Sequence, residues 1–125
     1  MSENADLIHR YSRADALRDG ALIDVSGTAK EAGIRYPVAL TCAVWARCVT
    51  VPPGVECQDE AGRLWDVVWL LRCAIGRSNG AEVRFGVHVR NDNRDRLPPL
   101  VRLKALCGPG DQAEPVVTVM LLNED

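Results

Sequence analysis

The sequence predicts an α+β fold, in which N-terminal helices pack on a C-terminal antiparallel sheet of about three strands plus a short N-terminal strand. Two patterns lead to this prediction. Apolar residues recur at helical spacing within residues 60–76, and they alternate with polar residues within 83–89 and 101–107. The chain has 125 residues, of which 47% are hydrophobic and 26% charged, and these values are typical of one globular domain. We therefore expect a single domain over residues 1–125, in which residues 1–8 form a flexible tail.

The first third of the chain contains signals for several short elements. Ser12 precedes RADALRD and Gly20 follows it, which is the pattern of a helix with a polar N-cap and a glycine stop. The next stretch, ALIDV, predicts a short strand. Ser26 is expected to cap a second short helix that stops at Gly33. After a stretch interrupted by proline, a third helix is expected from about Thr41.

Residues 60–76 carry the strongest helical pattern and predict the central, largely buried element of the fold. The apolar stripe of this helix comprises Leu64, Val67, Val68, Leu71 and Ile75. Trp65 and Trp69 lie four residues apart beside the stripe, and we expect both in the core. If either tryptophan faced the surface, it would instead be an anchor for a partner. The side chains expected to meet water are those of Arg63, Asp66 and Arg72.

Three strands are predicted in the last third of the chain. Residues 83–89 and 101–107 each place apolar side chains on alternate positions, as half-buried strands do. The sequence GPGD then predicts a turn. The final stretch, VVTVMLL, is apolar at nearly every position, which is typical of a strand that is covered on both faces.

The polar positions of the first two of these strands predict a basic surface. Residues 82–104 contain six basic and three acidic side chains, whereas the whole chain has a net charge of −2. A plain solvated surface is the first interpretation of this face, and binding of an anion or an acidic partner is the alternative. The candidate binding residues are Arg84, His88, Arg90, Arg102 and Lys104.

Four stretches of the chain have distinctive sequences: YSRADALRDGALIDVS, IRYPVALTCAVWARCV, AGRLWDVVWLLRCAI and GPGDQAEPVVTVMLLNED. Together they resemble a family of short, uncharacterised bacterial proteins that are often encoded on plasmids and integrative elements. The likeness runs from about Ile8 to the C-terminus. It implies a bacterial origin and an association with mobile elements, and it supplies no activity, ligand or catalytic residue.

The residues give little indication of catalysis or cofactor binding. The sequence contains no GxxxxGK, HExxH or CxxC motif, so we expect no catalytic residue, no cofactor and no metal. The chain has five cysteines, an odd number, and no two of them form a CxxC pair. This favours reduced thiols. No stretch approaches the ~18 apolar residues of a membrane span, and MSENADLIHR lacks the pattern of a signal peptide. A cytoplasmic location is expected.

Three functions follow as hypotheses from these observations. The first is a non-catalytic accessory or interaction protein of a bacterial mobile element, which could form a homodimer. The second is a weak nucleic-acid-binding or anion-binding module that uses the basic sheet face. The third is a small enzyme that uses His88 with a nearby aspartate or cysteine, and it requires a pocket that contains His88. The other histidine, His9, lies in no regular element of the prediction.

Overall fold

The computed structural model describes residues 11–124. The predicted tail over residues 1–8 and His9 lie outside the described residues. In chain order, the described elements are α1 (Arg13–Asp19), β1 (Leu22–Asp24), α2 (Ser26–Glu31), β2 (Val38–Thr41), α3 (Cys42–Val44) with the π-helix Trp45–Val49 that continues it, α4 (Glu60–Gly76), β3 (Glu82–His88), β4 (Leu100–Pro109) and β5 (Pro115–Leu121).

The strands of residues 11–124 form one mixed sheet in the order β1-β2-β5-β4-β3. β2 and β5 run parallel, and the other neighbours run antiparallel. The α+β class is confirmed, but the prediction of an antiparallel sheet without β2 was wrong. The cause is the stretch VALT, which is only four residues long and mostly buried, so that it shows no alternation of apolar and polar residues.

The first helix is capped at both ends as predicted. Ser12 Oγ accepts a hydrogen bond from Asp15 N, and Asp15 Oδ2 accepts one from Ser12 N, which completes a capping box. Gly20 ends the helix in the left-handed conformation, with φ 87°. A contact that the sequence did not predict comes from Asp111, whose carboxylate accepts from the backbone N–H groups of Arg13 and Ala14. The GPGD turn therefore holds the start of α1.

Ser26 does not cap α2, because it is the first residue of that helix and its hydroxyl is used elsewhere. Ser26 Oγ donates to Asp24 Oδ1 at 2.6 Å and accepts from Val38 N at 3.0 Å. The hydroxyl thus ties the end of β1 to the start of β2. Thr41, by contrast, is the N-cap of α3 and accepts from Val44 N, so the predicted start of the third helix is confirmed.

The helix α4 has the predicted bounds and lies against β3. Its side chains Val67, Val68 and Leu71 are fully buried, whereas Leu64 and Ile75 are partly buried and pack against the core. Burial of three such side chains contributes about 1.5–3 kcal/mol each relative to exposure. The stripe predicted from the sequence is therefore the face that α4 turns toward the sheet.

Two predictions for α4 were wrong. Trp65 and Trp69 are 38% and 44% exposed rather than buried in the core. On a helical wheel they lie opposite the side of Val67 and Leu71. Arg63, which was expected to meet water, is only 5% exposed.

The two faces of the sheet differ in what covers them. The side chains of Leu40, Leu103 and Val119 point to the inner face and are fully buried in the core with α4. The first helix lies on the opposite, outer face, where the Arg13 guanidinium donates to Thr118 Oγ1 at 2.6 Å and to the Val117 carbonyl at 3.1 Å. Further along that face, the side chains of β3 and β4 are open to solvent.

Candidate functional site

The basic surface predicted from strand alternation is assembled by the register of β3 and β4. Arg84 is opposite Lys104, Gly86 is opposite Arg102, and His88 is opposite Leu100. Residues that pair directly across two strands share a face, so these polar side chains lie together on the open half of the outer face. We call Arg84, His88, Arg102 and Lys104 the basic sheet face.

The charges of the basic sheet face are only partly compensated. Arg84 Nε lies 2.9 Å from Glu82 Oε2, and both side chains are exposed, so this ion pair is screened by solvent. Arg102 and Lys104 make no ion pair with any residue in the range 11–124. Two cationic side chains thus remain available to an anion.

His88 is the last residue of β3, and a hydrogen bond to a backbone carbonyl orients its ring. Its Nδ1–H donates to the Pro98 carbonyl at 2.7 Å, because a carbonyl oxygen can only accept. Beside it, Leu100 covers Gly86 so closely that a Cβ at position 86 would lie 2.8 Å from Leu100 Cδ1. The glycine therefore leaves room for an apolar side chain within the basic surface.

Arg90 is set apart from the other predicted residues. It follows the end of β3, and its guanidinium donates to the carbonyls of Arg94 at 2.5 Å and Arg96 at 2.9 Å. The same loop is closed by Asp92, which lies 3.0 Å from the Arg96 guanidinium. Hydrogen bonds from the Arg94 backbone and the Arg96 side chain lower the pKa of Asp92. Arg90 thus braces the loop that joins β3 to β4.

The buried Arg63 is a residue that the sequence reasoning missed. Its guanidinium donates to the carbonyl of Thr50 at 2.5 Å, to the carbonyl of Arg90, and to Oδ1 of Asn91 at 2.8 Å. Burial lowers the pKa of Arg63. The partners are distant in the chain and mostly backbone atoms, so the sequence holds no pattern that marks them.

The enzyme hypothesis requires a pocket that contains His88, and this side chain lines two pockets of the described residues. One has a volume of about 280 Å³ and is lined by Asp66, Trp69, Leu70, Val87 and His88. The second pocket is small. Its lining includes Cys48, Asp66 and His88, and its volume of about 20 Å³ accommodates about one water molecule. Burial raises the pKa of the Cys48 thiol to about 11, so this sulfur is protonated and weakly nucleophilic at neutral pH.

The stretch GRSNG over residues 76–80 matches the GxSxG pattern of serine hydrolases. That pattern forms a nucleophile elbow when a strand precedes the serine and a helix follows it. Here α4 precedes Ser78 and β3 follows it. Ser78 Oγ accepts a hydrogen bond from Gly80 N at 3.2 Å. The serine therefore closes a helix-to-strand turn.

The solvent side of α4 carries an ordered row of aromatic and cationic side chains. The rings of Trp65 and Trp69 stack with centroids 6.0 Å apart and an interplanar angle of 14°. The Arg72 guanidinium lies 5.9 Å from the Trp69 ring, within the range of a cation–π contact. We call Trp65, Trp69 and Arg72 the tryptophan ladder. Its residues follow helical spacing. A helical wheel of α4 with Val67 and Leu71 on the core side places these three residues on the solvent side.

Metal chemistry receives little support from the described part of the chain. Within residues 11–124, no group of three His, Cys, Asp or Glu side chains is placed to hold an ion. All five cysteines are free, and Cys42 and Cys57 are exposed.

Comparison with known proteins gives one match. A sequence model of DUF6573, described as a family of unknown function, covers residues 1–125. The chain belongs to this family. The resemblance to an uncharacterised family is thereby confirmed, and membership of DUF6573 supplies no activity. No curated protein and no solved structure matches the chain. Among the helices within residues 11–124, none has the length and apolar character needed to cross a membrane.

Proposed function

We propose that this chain is a non-catalytic interaction protein that binds a protein partner through the tryptophan ladder. The observation that carries the proposal is the exposure of Trp65 and Trp69, at 38% and 44%, on the side of α4 that faces away from the sheet. Large contiguous apolar patches on a protein surface are typical of protein–protein interaction sites. Tryptophan and arginine are also the residues that most often dominate the binding energy of protein interfaces.

The ladder is ordered before any partner binds. Trp65 and Trp69 already stack, and Arg72 already lies beside Trp69. An interface made by pre-ordered side chains loses less conformational entropy on binding. The complementary surface is expected to offer an apolar groove for the two indoles and a carboxylate for Arg72.

Site-specific photo-crosslinking in cells that carry the natural gene tests this proposal. A photoreactive phenylalanine derivative replaces Trp69 in one variant and Leu97 in a control, because Leu97 is 74% exposed and lies outside the ladder. We expect a discrete adduct from position 69 alone, identified by mass spectrometry. An adduct with twice the mass of the chain would identify a second copy as the partner.

The purified partner then allows a quantitative check. The double variant Trp65→Ser/Trp69→Ser is expected to bind the partner at least about thirtyfold more weakly than the unmodified chain does. This loss corresponds to the 2 kcal/mol or more of an interface hot spot. Equal crosslinking from positions 69 and 97, or unchanged affinity of the double variant, would contradict the proposal.

A second candidate function is weak binding of nucleic acid or another polyanion by the basic sheet face. The supporting observation is the register that brings Arg84 opposite Lys104 and places Arg102 beside them. Outside residues 82–104, the chain has nine basic and fourteen acidic side chains. The positive charge is therefore concentrated near this face. An enzymatic use of His88 has less support. The pocket that it shares with Cys48 has a volume of only about 20 Å³, and in its pocket of about 280 Å³ the only other ionisable side chain among the described residues is that of Asp66.

We further propose that the chain acts in the cytoplasm of a bacterium as an accessory protein of a plasmid or integrative element. The support is the resemblance of its four distinctive stretches to proteins with that genetic context. Gene neighbourhoods of the chain and of other DUF6573 members test this. Neighbours that belong to ordinary chromosomal operons throughout the family would contradict it.

A further inference from the structure

A groove between the loop over residues 33–36, which follows α2, and the C-terminal end of α4 combines an apolar floor with cationic side chains that form no ion pair with the described residues. Its volume is about 420 Å³, within the size range of small-molecule sites. Ile75, Cys107 and Val117 contribute to its lining, together with Arg35 and Arg72. We call this cavity the α2–α4 groove.

The glycines that end the two helices keep this groove open. Gly33 follows α2 with φ 97°, a left-handed conformation that disfavours other residues, and Gly76 is the last residue of α4. A Cβ added at Gly33 would lie 3.5 Å from Arg72 Nε, and one at Gly76 would lie 3.8 Å from an Arg72 terminal nitrogen. Both glycines therefore flank the Arg72 guanidinium, and larger side chains there would fill the groove.

Within the described residues, the polar side chains of the groove make no ion pair or hydrogen bond, and the Arg72 guanidinium also lies 5.9 Å from the Trp69 ring. Arg35 and Arg72 make no ion pair with any described residue, and the hydroxyl of Tyr36 makes no hydrogen bond to one. The side chain of Tyr36 is 54% exposed. Two guanidinium groups and a phenol can bind a carboxylate or phosphate by charge-assisted hydrogen bonds.

We propose that the α2–α4 groove binds a small amphipathic organic anion, with its apolar body on Ile75, Cys107 and Val117 and its acidic head at Arg35 and Arg72. Charge selects the class of ligand, because a cationic amphiphile of the same shape would meet two positive side chains. The floor selects against simple inorganic anions, because they would leave the apolar surface exposed. The proposal does not require a protein partner at Trp65 and Trp69, and Arg72 is the one residue that the groove shares with the tryptophan ladder.

Matched single-chain amphiphiles test the proposal. Decanoate and decylammonium have similar tails and opposite charges, and each is titrated by calorimetry below its micelle-forming concentration. We expect decanoate to bind at least tenfold more tightly than decylammonium. Bound decanoate should also slow alkylation of Cys107, which is half-buried at the groove.

Two variants locate the binding. Arg35→Gln/Arg72→Gln should weaken decanoate binding at least tenfold and abolish the preference for the anion, whereas Arg102→Gln on the outer face should change neither. Gly76→Leu retains both arginines and should exclude decanoate by filling the groove. Trp65→Ser/Trp69→Ser should still bind decanoate, which separates this proposal from the partner-binding role of the ladder.

The results that would overturn the proposal are equally specific. They are an absence of decanoate binding below the micelle-forming concentration, equal affinity for decanoate and decylammonium, or binding that survives in folded Arg35→Gln/Arg72→Gln. Far-ultraviolet circular dichroism establishes that each variant is folded. If the arginine variant does not fold, Gly76→Leu decides the question, because retained binding in that variant contradicts the groove as the site.

Discussion

The side chain of Arg63 on α4 donates a 2.8 Å hydrogen bond to Oδ1 of Asn91, which lies 28 residues later in the loop after β3. The same guanidinium donates to the carbonyls of Thr50 and Arg90 and to Oε1 of Gln58. One buried cation thus joins the central helix to three separate segments. These contacts anchor the loop that follows β3 to α4.

We predict that Arg63→Met destabilises the fold by about 3 kcal/mol, because it leaves buried carbonyl oxygens without donors. Urea denaturation measures the free energy of unfolding. Arg102→Met is the matched control, because Arg102 is exposed and the change should stay within about 0.5 kcal/mol. Equal effects of the two substitutions would contradict the role assigned to Arg63.

We predict that Leu71→Ala lowers the free energy of unfolding by about 2–5 kcal/mol. This side chain is fully buried on the core side of α4, and its truncation leaves a cavity. Leu97→Ala provides the control, because Leu97 is 74% exposed. Chemical denaturation of both variants gives the comparison. A loss below about 0.5 kcal/mol for Leu71→Ala, in the range of surface substitutions, would show that the core is not centred on this helix face.

The elements that the sequence predicted are those whose residues repeat with a strong period. The stripe on α4 and the alternation of β3 and β4 specify both the secondary structure and the face that is buried. β2 was missed because a short strand that is buried on both faces has no period, and its parallel pairing with β5 is set by contacts about 80 residues apart. Four of the five candidate binding residues share a face because alternation specifies faces directly.

The remaining errors concern single side chains on α4. Arg63 was expected in water because charged residues are rarely buried. Two of its four acceptors are backbone carbonyls, which have no sequence signature. Trp65 and Trp69 were expected in the core because they are apolar. Hydrophobicity does not distinguish a core side chain from one that is exposed for binding.

The five thiols are predicted to differ in reactivity. Cys42 and Cys57 are exposed and should react first with a thiol reagent, whereas Cys48 is buried and its pKa is raised to about 11, so it should react only on unfolding. Mass spectrometry after timed alkylation identifies each modified residue. Rapid modification of Cys48 in the folded protein would contradict its burial, and fewer than five thiols after unfolding without reductant would reveal a disulfide.

The ionisation of Tyr11 should depend on Asp19. The Tyr11 hydroxyl donates to the Asp19 carboxylate at 2.7 Å and 2.8 Å, and this hydrogen bond is the main reason that the pKa of Tyr11 is raised from 10.0 to about 12. A raised folded-state pKa means that the stabilising contribution is complete below about pH 10 and is lost as pH rises through about 12.

Absorbance titration in a Tyr36→Phe background, where Tyr11 is the remaining tyrosine, measures this pKa. We expect a midpoint near 12 and a fall toward 10.0 in Asp19→Asn. A midpoint near 10.0 while Asp19 is present, in protein that circular dichroism shows to be folded, would show that the hydrogen bond does not persist in solution.

The final prediction concerns the basic sheet face and uses Arg102 and Lys104, which are two residues apart on β4. Neither side chain forms an ion pair with a residue in the range 11–124. Arg102→Glu/Lys104→Glu should leave stability nearly unchanged and should abolish binding to a duplex DNA oligonucleotide at low salt. Lys30→Glu/Arg47→Glu makes the same change in net charge at exposed positions away from this face, and it should retain most of the binding. If three or four phosphates are contacted, the slope of log affinity against log salt for the unmodified chain should be about −3. A comparable loss in both double variants would indicate attraction by net charge alone, and retained binding in the folded Arg102→Glu/Lys104→Glu variant would remove this face as an anion site.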